Sequence, residues 1–218
     1  MPWCGATRRN ADRRAMRCLV KLIAALHFSA LGFPCAAQTL PQGLFSVGQF
    51  EIGTATVDDV QSRLGVNKPS PIELGDGADV ALCYSVGTSP SAPTIVFETG
   101  ALGGWKEITA YRLTKRGKRR CKLTDASLMA MSTANGLNFR TERKLVERML
   151  SQSKLTNSGE SIRVEEVYRR RPTESEAARM RRSGLDPDQV AFDVVDIVEV
   201  RFKHGVIDDL YVKRLVSY

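Results

Sequence analysis

Between residues 56 and 65 the chain reads Thr-Val-Asp-Asp-Val-Gln-Ser-Arg-Leu-Gly, with Val57, Val60 and Leu64 recurring at i, i+3 and i+7. That spacing puts all three on one face of a helix. Thr56 stands at the N-cap with Asp59 three residues on, the arrangement of a capping box, and Gly65 is placed to end the helix. Pro69, Pro71, Gly75 and Gly77 then break the chain, so 66–78 predicts a loop. Strand-like runs follow at Val80–Val86, Thr94–Glu98 and Trp105–Thr114, separated by Gly87-Thr88-Ser89-Pro90-Ser91 and by Gly100–Gly104. The pattern predicts one helix followed by a three-stranded antiparallel meander.

The same order returns in the second half. Thr141 is placed to cap a helix whose apolar stripe is Leu145, Val146, Met149 and Leu150. Ile162–Arg170 alternates like a strand, and Asp193–Lys203 and Val206–Val216 flank a His204-Gly205 turn. Thr56, Val60 and Leu64 match Thr141, Leu145 and Met149 at an offset of 85, and Tyr84 matches Tyr168 to within one residue. Phe97-Glu98-Thr99-Gly100 matches Phe202-Lys203-His204-Gly205 at an offset of 105. The change of offset requires an insertion of about 20 residues, at Arg171–Val190. Inside it, Thr173 with Glu176 makes a capping box, Ala177, Ala178 and Met180 favour helix, and Gly184 can stop it. The expected fold is α+β: two tandem units, each a helix packed on an antiparallel meander, able to join in one continuous concave sheet. The expected boundaries are an irregular lead-in at 38–50, a first unit at 51–122, and a second at 123–218 with a helical insertion at 172–190.

Composition changes the picture at the N-terminus. Arg13, Arg14 and Arg17 precede an apolar run, Cys18–Leu31, and Cys35-Ala36-Ala37 supplies small residues before Gln38. These are the parts of a secretory signal peptide, expected at 1–37 with cleavage near Ala37 and with Met1 or Met16 as start. Residues 1–37 hold six Lys/Arg and one acid, which leaves 26 basic against 23 acidic residues and about +3 of the whole chain's +8. The expected location is therefore periplasmic or secreted. A near-neutral remainder gives no argument for nucleic acid as a partner.

Two cysteines follow the leader, Cys83 and Cys121. An even pair in an oxidising compartment predicts a disulfide, with two free thiols as the other reading. Groups for catalysis are few. His204, the one histidine after the leader, sits at a turn, and with Cys83 and Cys121 it lacks any CxxC or HxxxH spacing, so no metal, cofactor or catalytic residue is expected. Asp58-Asp59 suits a helix N-terminus and Asp208-Asp209 a strand surface. The runs Lys115–Lys122 and Arg169–Arg171, with Arg179, Arg181 and Arg182, read either as solvated loops or as peripheral contacts with an anionic envelope surface.

A short helix, Leu64-Gly65, a loop, a Tyr84-containing strand and Phe97-x-x-Gly100 before a last strand together resemble the SmpA/BamE outer-membrane assembly lipoproteins. Two such units in tandem are similar to the β-lactamase inhibitor protein, whose paired helix-plus-sheet units form one concave antiparallel sheet. The segment Phe97–Trp105 also resembles a run in exported bacterial proteins of this kind. The resemblance covers roughly 50–114 and 136–218. It implies a non-catalytic protein-recognition module of the bacterial envelope, an assembly factor or inhibitor, with an envelope protein as partner. The alternatives are a periplasmic enzyme of hydrolase type using carboxylates gathered by the fold, and a structural envelope component held by its basic loops.

Alternation locates the recognition surface. Val194, Val198, Val200 and Phe202 should face the core, leaving Val195, Ile197, Glu199 and Arg201 outside. Leu210, Val212 and Val216 suit the core on the next strand, with Tyr211 and Lys213 outside. If Val164 and Tyr168 point inward, Arg163 and Glu165 join the outer face, and Trp105 extends it from the first unit. Aromatics and arginine among polar groups are the composition of a recognition surface.

Overall fold

Within the lead-in at 38–50, expected to be irregular, Leu40, Leu44, Phe45, Val47 and Phe50 are buried in the core. The computed structural model describes residues 40–68, 70–71, 80–89, 91–100, 106–115, 121–125 and 131–217. Gln42–Phe45 form a 3-10 turn, and β1 (Ser46–Val47) pairs with β2 (Phe50–Glu51) in a small hairpin. Leu44 and Phe45 are fully buried, and the Tyr111 hydroxyl donates to the Leu44 carbonyl. The expected signal peptide, Trp105 and residues 116–120 of the basic link lie outside the described residues.

The first helix forms as its caps predict. α1 spans Val57–Leu64, the Thr56 side chain accepts from the Asp59 N–H, and Asp59 accepts in return from Thr56. Val60 and Leu64 are buried, and Gly65 ends the helix at a φ of 90°, a left-handed value that a side chain would strain. Next come β3 (Ser70–Pro71), β4 (Val80–Ser85), β5 (Thr94–Thr99), β6 (Ile108–Thr114) and β7 (Lys122–Leu123). Buried Tyr84 on β4 donates to the Gly65 carbonyl, and burial pushes its phenol up to about 12.

The second helix departs from expectation by one residue. α2 spans Arg143–Met149 with Glu142, not Thr141, at its N-cap. Thr141 is buried, and its side chain accepts from the Asn138 N–H in the preceding loop. Consequently Val146 and Leu150 face the core, whereas Leu145 is 46% exposed. The apolar stripe was legible but its phase was not, because Leu145, Val146, Met149 and Leu150 offer two overlapping i, i+4 pairs. The remaining elements are β8 (Leu155–Ser158), β9 (Ser161–Arg170), α3 (Glu174–Arg182), β10 (Phe192–Lys203) and β11 (Val206–Ser217). β9 matches the strand expected at Ile162–Arg170, whereas its hairpin partner β8 has no counterpart in the expected pattern. α3 has the expected capping box at Thr173 and buries none of its residues.

The strands form a nine-stranded sheet in the order β3-β4-β5-β6-β11-β10-β9-β8, with neighbours antiparallel. β7 pairs with β4 in parallel, so the fold is α+β with a mixed sheet rather than a wholly antiparallel one. The join between halves is β6 against β11, with Leu113 opposite Leu210 and Tyr111 opposite Val212. One hydrophobic core runs under both halves and includes Val60, Phe97, Val146, Val198 and Phe202. Each helix is tied to a strand in the same way. Val57 N–H donates to the Lys106 carbonyl and Ile108 N–H to Ala55, while Arg143 N–H donates to Gly205 and Ile207 N–H to Thr141.

Cys83 and Cys121 stand at disulfide distance, their Cα atoms 4.7 Å apart and 38 residues apart in the chain. Closing a loop of that length removes unfolded-state entropy worth roughly 3–4 kcal/mol. Among the described residues no helix is long and apolar enough to cross a membrane.

Candidate functional site

β10 is twelve residues long and alternates strictly, which sorts its side chains between two faces. Val194, Asp196, Val198, Val200 and Phe202 are buried on the inner face, beneath the helices. On the outer face the ladder sets Glu199 between Arg163 of β9 and Tyr211 of β11, and Ile197 between Glu165 and Lys213. Arg201 lies opposite Ser161 on one side and Asp209 on the other. Arg163, Glu165, Glu199, Arg201, Tyr211 and Lys213 therefore share one face.

Their contacts form a network. Arg163 donates to Glu199 through one terminal nitrogen and to Glu165 at 2.8 Å through the other. The hydrogen bond to Glu165, together with the charge of Glu199, holds the Arg163 guanidinium above its ordinary range. The Tyr211 hydroxyl donates to Glu98 at 3.0 Å, and the Arg112 guanidinium sits 5.0 Å from the centre of the Tyr211 ring. Burial, then the negative charge of Glu98, drives the Tyr211 phenol well above the usual range. Arg112 also approaches Asp209 at 3.2 Å.

Glu98 and Arg112 were not among the candidate site residues expected from the sequence, and Asp209 was expected only on a strand surface. The first two belong to β5 and β6, and only the pairing of β6 with β11 brings them beside Tyr211. No local pattern announces a pairing between strands a hundred residues apart. Asp208, expected on a strand surface with Asp209, is buried instead.

The inner face holds a polar group of its own. Asp196 is fully buried and accepts two hydrogen bonds from Arg214, at 2.7 and 2.8 Å, and one from the Tyr168 hydroxyl. Arg214 lies 3.9 Å from the centre of the Phe45 ring, which ties the pair to the N-terminal turn. Burial and the charge of Asp196 push Tyr168 up to about 12. Glu166 lies across the ladder from Asp196 and is the nearest thing to a carboxylate pair on the inner face. Its oxygens accept from Ser153 at 2.7 Å and from the Leu40 N–H at 3.2 Å. Both carboxylates are thus committed to structural bonds.

His204 occupies the tight β10–β11 turn with φ 54° and is exposed. Among the described residues no group of three or more His, Cys, Asp or Glu is arranged to hold a metal. No protein-family model matches the chain, and no curated protein or solved structure matches it, so the outer face of β6, β11, β10 and β9 stands as the candidate site on its geometry alone.

Proposed function

We propose that the chain is an exported, non-catalytic recognition module of the bacterial envelope that presents the outer face of its sheet to a protein partner. The observation that carries this reading is the convergence of Arg163, Glu165, Glu199, Arg201, Tyr211 and Lys213 on one face, where Tyr and Arg stand among partly exposed apolar groups. Tyr and Arg are the residue types enriched at protein interfaces. The leader at 1–37 and a cysteine pair at disulfide distance support export.

A correspondence between the two halves supports the likeness to tandem inhibitor-type proteins. The backbone bonds that tie each helix to its strand correspond at constant offsets: Ala55 with Thr141 and Val57 with Arg143, 86 apart; Lys106 with Gly205 and Ile108 with Ile207, 99 apart. The offsets are thus 86 and 99 rather than the expected 85 and 105, and buried Val60 and Leu64 correspond to Val146 and Leu150 instead of Leu145 and Met149. The hydrolase alternative is disfavoured by the saturation of Asp196 and Glu166.

The test places a photo-crosslinking residue at Ile197, on the outer face, or at exposed Lys144 of α2, in the native host. The expected result is a discrete adduct from 197 that is lost with Arg163→Ala and Tyr211→Ala and is absent from 144. Its mass should give an N-terminus near Gln38. The same adducts from both positions, or none from 197, would overturn the reading.

A further inference from the structure

Residues 131–139 form a small hairpin that holds the lead-in against the second unit. Thr133 N–H donates to the Leu137 carbonyl at 2.9 Å and Gly136 N–H to the Thr133 carbonyl at 2.9 Å, which closes a three-residue loop, Ala134-Asn135-Gly136. Thr133 bridges to Val47 of β1, and Ala134 N–H donates to the Ser46 carbonyl. Gly136 has a φ of 89°, the left-handed value that the last position of such a loop requires, so the loop demands glycine there.

Packing demands the residue before it. The Asn135 carboxamide accepts from the Thr133 hydroxyl through Oδ1 and donates from Nδ2 to the Met149 sulfur of α2 at 3.0 Å. A thioether only accepts, so an aspartate at 135 would face it with nothing to donate. Gly43 of the lead-in closes the other side, where an added Cβ would stand 2.9 Å from the Asn135 Cβ. Three segments thus pin Asn135, and the fold sets an asparagine directly before a glycine. That pair is chemically labile, because no side chain on the second residue shields the backbone nitrogen that can attack the amide.

We infer that Asn135-Gly136 is a modification site, a self-deamidating pair that docking of the lead-in keeps silent and that loss of docking sets going. In the reaction the Gly136 nitrogen gives up its proton and bonds to the Asn135 Cγ. The Cγ–Nδ2 bond breaks, and the amide nitrogen leaves as ammonia with that proton. Water then opens the five-membered imide at either carbonyl, giving aspartate or isoaspartate. In the folded chain the attacking nitrogen is held by the Thr133 carbonyl, and both ends of the amide are held by Thr133 and Met149. Gly136 is exposed, so water reaches the loop, and it is freedom of movement that the reactants lack. The product does not restore the joint. Aspartate sets a carboxylate against the Met149 sulfur, and isoaspartate adds a carbon to the main chain beside the bonds that Thr133 and Ala134 make to β1. The site therefore marks, irreversibly, a chain whose lead-in has come away, whatever binds the outer face.

The experiment holds the intact protein at mildly alkaline pH and counts aspartate and isoaspartate at position 135 by peptide mapping and mass spectrometry. A blocked peptide of residues 131–140 is followed beside it and should react at least tenfold faster than the folded protein. Gly43→Ala, whose methyl displaces Asn135, should speed the reaction in the protein at least fivefold. Met149→Leu keeps the volume and removes the acceptor, and should speed it by a smaller factor even if Gly43→Ala does not fold. Gly136→Ala should slow the peptide at least fivefold. Equal rates in peptide and folded protein would overturn the gate, as would parental rates in both protein variants. Acceleration shared by Asn67, Asn138 and Asn157 would assign the effect to global unfolding and overturn it too. A peptide unaffected by Gly136→Ala would rule out attack by the Gly136 nitrogen.

Discussion

The two sides of β10 carry the same chemistry in opposite settings. On the inner side Asp196 is fully buried and holds Arg214 in a two-pronged bond, with Tyr168 completing its shell. On the outer side Glu199 and Arg163 form an equally close pair, but their side chains remain 37% and 46% exposed. Burial decides what each pair does. The inner pair has lost its water and must keep its partners, since an isolated charge there has nowhere to go. The outer pair trades freely with solvent, so its groups stay available to a ligand. Two carboxylate–guanidinium pairs, set by residues only three apart along one strand, are thus structural on one face and suited to recognition on the other.

Removing half of the inner pair should have the largest effect. Asp196→Ala strands the Arg214 guanidinium beneath the sheet and should cost about 3–5 kcal/mol, read as a lower urea midpoint at unchanged slope. Replacing Asp196 and Arg214 together with Leu and Met should recover much of that loss, because no lone charge remains. If the double variant is no more stable than the single, the pair contributes more than mutual neutralisation, and the Arg214 contact with Phe45 becomes the reason.

How much of this contrast could be read from the chain follows from its physical origin. Alternation gave the correct face for Glu199, Arg201, Tyr211 and Lys213, because period 2 is a local property of each strand. It also put Val194, Val198 and Val200 inside correctly. Asp196 falls at the same inward phase, yet a carboxylate in a row of valines gives no sign of its partner, which lies 18 residues on at Arg214. The capping boxes at Thr56 and Thr173 were legible, since their four residues are contiguous. Register between the halves was not: β6 meets β11 only when the second unit has folded, and Arg112 joins Tyr211 by that meeting. Leu44 and Phe45 of the lead-in became core for a similar reason, filling space that the sheet supplies.

Between the two extremes stands Arg170 with Glu176, whose side chains are 25% and 18% exposed. The hydrogen bond from Arg170 first, then those from Thr173, outweigh burial and pull the Glu176 carboxyl down to about 2. A carboxyl depressed in the folded state adds stability above its unfolded value, near 4.5, and loses that contribution as pH falls from there toward 2. Amide exchange across Glu174–Arg182 should therefore accelerate on acidification through this window. Glu176→Gln keeps a capping side chain but not the charge. It should cost about 1 kcal/mol locally at neutral pH and flatten the acid response. A steep response that persists in Glu176→Gln would assign it to another group and remove this pair from the series.

The smallest effect belongs to the outer pair, and it decides whether the contrast between faces is real. Arg163 divides its charge between Glu199 and Glu165, and water reaches all three side chains. Arg163→Ala should therefore change stability by less than about 1 kcal/mol. The coupling in a double-mutant cycle with Glu199→Ala should fall at about 0.2–1 kcal/mol and shrink further at high salt. Its consequence should appear in binding instead. Without Arg163 the carboxylates of Glu199 and Glu165 are uncompensated on the outer face, so the partner adduct from Ile197 should be lost even though the fold is intact. Stability and binding respond separately only where a charged network is solvated. A salt-insensitive coupling of 3 kcal/mol or more, the scale of a buried pair, would mean that the outer face is sealed in solution, and with it the case for recognition there would be lost.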